Sequence, residues 1–118
     1  MDFPRVVVAL AAVAGSAAAA QAQTTSMNDL AERYVRLVLA VGQHDADYVD
    51  AYYGPPEWRT AAQERKRSLA EIDADASAAL ESLAGMSPPG APEIVRLRHE
   101  YLTRQLESLR ARVAMLGG

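Results

Sequence analysis

The residues of this chain best able to do chemistry are few. His99-Glu100-Tyr101-Leu102-Thr103 stands one residue away from H-E-x-x-H. In that helical zinc motif two imidazoles one turn apart reach one metal, and the glutamate activates water. Thr103 occupies the second histidine position, and His44 is the only other histidine. The segment is therefore read as a polar helix face. Asp45, Asp47 and Asp50 invite a calcium reading, but a calcium loop needs an oxygen ligand at position five, glycine at six and a distant glutamate. Val49 and Asp50 stand at positions five and six, so a capping acidic turn is expected instead. The chain has no cysteine. That excludes a thiolate zinc site, a cysteine nucleophile, a lipid-anchor cysteine and disulfides. No catalytic residue, metal ligand or cofactor is expected in this chain.

The second concentration of chemical character is aromatic. Tyr48, Tyr52, Tyr53 and Trp58 surround Gly54-Pro55-Pro56. Aromatic rings with polar tips suit peptide or sugar contacts, and they equally suit a small satellite core. An alanine-rich domain has few other large side chains to bury, which favours the satellite core. Asp45, Asp47, Tyr48, Asp50, Tyr52, Tyr53 and Trp58 together form the candidate recognition or structural corner. Farther on, Arg96, Arg98, Arg104, Arg110 and Arg112 alternate with Glu93, Glu100 and Glu107. This reads as a solvated helix face with local ion pairs.

Helices must position these groups. Ser26 with Asp29 three residues on resembles a capping box, and Leu30, Tyr34, Leu37, Val38 and Val41 follow at helical spacing. A first helix is expected over 27–41, closed by Gly42 as a left-handed cap. Asp45 is expected to cap a short helix reaching Tyr53, with Gly54 and Pro55-Pro56 ending it. Trp58, Ala62, Arg65, Leu69, Ile72, Ala76, Ala79 and Leu83 then alternate spacings of four and three. One long helix over 56–84 is expected, with a heptad-like stripe suited to packing along another helix. The segment from Gly85 to Pro92 is the clearest breaker in the chain. Pro92 opens a last helix, with a stripe of Val95, Leu102, Leu106, Leu109, Val113 and Leu116 widened by Ile94, Leu97 and Tyr101. The short breaker folds the two long helices back antiparallel. The expected fold is all-α, short helices followed by a long antiparallel helical hairpin.

The bulk properties set the context. Met1-Asp2-Phe3-Pro4-Arg5, an uncharged apolar run and Ala20-Gln21-Ala22 follow the charged, apolar and small-residue order of a secretory signal peptide. Residues 1–22 are expected to be a signal cut after Ala22, with 23–118 a helical domain that is periplasmic or secreted. No stable membrane span is expected after cleavage. The net charge of −3 does not favour nucleic acid.

The stretch Asp45-Ala46-Asp47-Tyr48-Val49-Asp50-Ala51-Tyr52-Tyr53-Gly54-Pro55-Pro56-Glu57-Trp58 carries a resemblance. Tyr34-Val35-Arg36-Leu37-Val38-Leu39 before it and Arg98-His99-Glu100-Tyr101-Leu102-Thr103-Arg104-Gln105-Leu106 … Met115-Leu116-Gly117 after it extend that resemblance. Together they resemble the N-terminal helical region of large, exported, poorly characterised bacterial proteins of the all-helical zinc-metallopeptidase-like (gluzincin) group. The resemblance implies that the zinc-binding helix lies downstream of Gly118, so no catalytic or metal residue carries over. On that expectation the chain is a non-catalytic N-terminal fragment, an inactive wall or lid, whose partner is the missing C-terminal part of the same protein. The alternative is a complete small exported module that binds a partner helix or itself.

Overall fold

The computed structural model describes residues 15–86 and 90–118, with side chains from Met27 onward. Its order is α1 (Gly15–Gly42), a 3₁₀ turn (Ala46–Tyr48), α2 (Pro56–Glu64), α3 (Leu69–Ala84) and α4 (Glu93–Leu116). The described residues form helices and connections only, so the chain is all-α. The expected signal segment lies outside the described residues up to residue 14.

Helix α1 begins at Gly15, twelve residues before the expected start. Alanine has the highest helix propensity, and no proline or glycine interrupts 16–41. Ser26 is therefore inside the helix rather than at its cap. Gly42 closes α1 without a left-handed turn, since positive φ among the described glycines occurs only at Gly90 and Gly118. Its lack of a side chain serves packing instead. A Cβ there would sit 3.0 Å from Val49 Cγ2.

The acidic segment forms less helix than expected. Asp45 caps a single 3₁₀ turn by accepting from Asp47 N at 3.2 Å. The chain leaves helix after Tyr48 and stays irregular until Pro56. The expected helix over 56–84 is likewise two helices. Arg65 N–H closes α2 on the Ala61 carbonyl, and Ser68 opens α3 by accepting from Glu71 N at 3.1 Å. Ser68-Leu69-Ala70-Glu71 is an N-terminal cap whose local hydrogen bonds satisfy donors a continuous helix would leave to the preceding turn.

Helices α3 and α4 form the long antiparallel hairpin. Its register is marked at one end by His99 against the Leu83 carbonyl and at the other by Arg110 against Asp73. Helix α1 lies across both. It runs antiparallel to α3, with Arg33 bonded to Asp75. It runs parallel to α4, with Tyr34 donating to Gln105 Oε1 at 3.1 Å. The core is one cluster drawn from three stripes: Met27, Leu30, Leu37 and Val41; Ile72, Ala76, Ala79 and Leu83; Leu102, Leu106, Leu109 and Val113. Ala76 and Ala79 are fully buried at the centre of α3, where small side chains let two neighbours approach closely. Helix α2 contributes no buried residue.

Candidate functional site

The corner over 45–58 does not gather its residues into a patch. Asp45 is drawn inward, and only 12% of its side chain is exposed. Its carboxylate accepts from Arg112 Nε at 3.0 Å and also from Arg112 Nη2. The Arg112 guanidinium holds the Asp45 carboxyl below the usual carboxylate range. Asp47 and Asp50 are exposed. Tyr48 packs against the core cluster, and burial pushes its phenol up. Tyr52 folds back and donates to the Pro55 carbonyl at 2.7 Å. Gly54 makes room for that ring, because a Cβ there would meet Tyr52 Oη at 2.6 Å. Trp58 presents its face to the Arg36 guanidinium, 4.8 Å from the ring centroid. This is a cation–π contact that fastens α2 to α1. Tyr53 alone points away, 95% exposed. Asp45, Tyr48, Tyr52 and Trp58 thus act as fasteners.

Both histidines also serve the backbone. His44 Nε2 lies 2.6 Å from the Arg67 carbonyl, bracing the break between α2 and α3. His99 Nε2 meets the Leu83 carbonyl in the last turn of α3. Thr103, at the position of the missing second histidine, donates to the His99 carbonyl at 2.8 Å. Among the described residues no group of three His, Asp or Glu side chains is placed to hold a metal ion.

The arginines of α4 were expected to pair locally. Arg104 does so, bonding Glu100 at 2.8 Å. Arg110 and Arg112 instead reach other elements. Arg110 grips Asp73 through two bonds of 2.8 and 3.2 Å, and this partner lowers the Asp73 carboxyl and raises the guanidinium. Asp75 receives both Arg33 and Arg67, joining α1, the break and α3.

What remains as surface with a possible task is the outer face of α4. Ile94 is 73% exposed, Leu97 53%, Tyr101 64% and Met115 72%. Ile94, Leu97 and Tyr101 were expected to widen the core stripe. Their angular position puts them beside it, past the edge that α1 covers. Val95 shares the core-facing direction yet is 39% exposed, because α4 overhangs the end of α3 before His99. Two shallow depressions flank the hairpin, one bounded by Leu30, Glu81 and Met86, the other by Leu69, Asp73 and Arg110. The first also has Ser82 beside Asp29 and Glu81, with no hydrogen bond from the hydroxyl to either carboxylate among the described residues. Comparison with protein-family models, curated proteins and solved structures returns no match. No helix of the described residues is long and apolar enough to cross a membrane.

Proposed function

We propose that this chain is a non-catalytic helical docking unit of an exported protein, and that it works through the outer face of α4. The observation that carries the reading is the row Ile94, Leu97, Tyr101 and Met115, apolar side chains left in solvent on one helix beside its buried row of Leu102, Leu106, Leu109 and Val113. Single exposed apolar residues are ordinary, whereas a row on one helix face marks an interaction surface. Export rests on the charged, apolar and small-residue order of residues 1–22.

The test is cross-linking in the cell. A benzophenone amino acid replacing Tyr101 should give a discrete adduct on irradiation. The same group replacing the exposed Gln63 of α2 should not. Equal labelling from both positions, or none from either, would sink the docking reading.

A second reading is favoured by the corner. The segment that resembles the metallopeptidase-like group serves here as a scaffold bend, as suits a wall element remote from a zinc helix. On this view the same outer face is covered by downstream helices of one longer polypeptide. An antibody against residues 23–118 would then detect an exported product several times larger than this chain. Its downstream frame would encode H-E-x-x-H. A product of the size of this chain alone would exclude that reading.

A further inference from the structure

The outer face of α4 is patterned for a second copy of itself. Ile94, Leu97, Tyr101, Ala111 and Met115 fall on one continuous three–four repeat, and each is exposed. Arg104 and Ser108 complete the repeat. In coiled-coil terms, Ile94, Tyr101, Ser108 and Met115 take the a positions, and Leu97, Arg104 and Ala111 the d positions. This row is separate from the buried row of Leu102, Leu106, Leu109 and Val113.

The flanking charges choose the partner. On one side of the row stand Glu93, Glu100 and Glu107, each seven residues from the next, at g positions. On the other side, at e positions, stand Arg98, Gln105 and Arg112. Two parallel helices bring g of one against e of the other. Glu93 then meets Arg98 of the second copy, and Glu107 meets the side of Arg112. Antiparallel helices would place the glutamate row against itself. Glu93, Glu107 and Arg98 are exposed and make no ion pair among the described residues. Arg104 at a d position weakens the seam, but its charge is already matched by Glu100 at 2.8 Å, and its stem can cover apolar surface while the head stays in water.

We infer that two copies of this chain associate in parallel through the Ile94–Leu97–Tyr101–Met115 face of α4, with Glu93 of each facing Arg98 of the other. This rests on the docking reading above and supplies its partner. With one arginine and one serine in the seam, the dimer is weak, dissociating on the order of 10–100 µM.

Sedimentation equilibrium of the full chain up to about 300 µM should show a concentration-dependent rise toward twice the monomer mass. Monomer throughout overturns the inference. Glu93→Arg should weaken the dimer about fivefold, since the altered pair occurs twice per dimer, and adding Arg98→Glu should restore it. Loss without rescue overturns the assigned pairing. Orientation is read separately, because the chain has no cysteine of its own. Ile94→Cys alone and Met115→Cys alone should each oxidise to a covalent dimer. Dimer formed only when the two variants are mixed means antiparallel packing and overturns the inference. All these positions are exposed, so an unchanged thermal melt confirms that each variant folds. In the Tyr101 cross-linking experiment, an adduct of twice the chain mass supports self-pairing. An adduct of another mass keeps the docking reading and removes this one.

Discussion

The Asp45 carboxylate serves two elements at once: it caps the 3₁₀ turn through Asp47 N and receives the Arg112 guanidinium from the last turns of α4. The two residues are 67 positions apart. One side chain therefore ends α1's connection and fixes where α4 lies beside it. Asp73 with Arg110 makes a second such pair, tying α3 to α4.

Both pairs make the protein sensitive to acid. Their folded carboxyl values lie below the ordinary one, so the unfolded chain takes up protons first as pH falls. The stabilisation is present above the unfolded value near pH 4 and is lost as pH drops through the lower folded values. Urea midpoints should fall steadily below about pH 4. Asp45→Asn with Asp73→Asn should flatten that decline.

At the alkaline end Tyr34 has the most strongly raised phenol. Burial, then the neighbouring Tyr48 and Tyr101 hydroxyls, push its phenol up to about 12. The unfolded chain ionises near pH 10. Stability is complete below that value and is lost as pH rises toward 12, by at most on the order of 2 kcal/mol. Tyr34→Phe should remove its share of this alkaline loss and leave that of Tyr48, whose phenol burial also raises. At pH 7 it should cost about 1 kcal/mol through the bond to Gln105.

The break between α2 and α3 depends on Ser68. Ser68→Ala removes the acceptor for Glu71 N and should cost about 1 kcal/mol in denaturant unfolding. Ser68→Asp should retain most of the stability, because a carboxylate caps equally well. A Ser68→Ala variant as stable as the parent would mean that His44 and the Arg67–Asp75 pair hold the break without the cap.

The two rows of α4 should respond oppositely to truncation. Leu106 is fully buried, and Leu106→Ala should cost about 2–5 kcal/mol. Leu97→Ala should change monomer stability by less than about 0.5 kcal/mol. It should instead reduce association, which thermal melts and sedimentation read separately.

The three core stripes were legible because burial imposes helical spacing. Leu30, Leu37 and Val41, Ile72 to Leu83, and Leu102 to Val113 all stand in the core as their spacing predicts. The break at Arg65–Ser68 was hidden for the same reason: Trp58, Ala62, Arg65 and Leu69 keep the period across it. Only the Ser68–Glu71 spacing marked the cap. In α4 apolar residues occupy two neighbouring rows, and periodicity alone does not say which row faces inward. That depends on where α1 lies, which pairs such as Tyr34–Gln105 and Asp45–Arg112 decide at long range. In the aromatic corner, Tyr48 lies against the core cluster, Tyr52 bonds the Pro55 carbonyl and Trp58 meets Arg36. Tyr53 follows no spacing that separates it from Tyr52, and its exposure comes from the irregular backbone after Tyr48.

Helix α2 has no buried residue and is tied to α1 by the Trp58–Arg36 contact. It can therefore detach while the three-stripe core stays closed. Amide hydrogens of α2 should exchange through this small opening, far faster than those of Leu106 or Ile72, which wait for global unfolding. The molecule should then show two levels of cooperativity, with the boundary between them at the Ser68 cap, where His44 meets the Arg67 carbonyl.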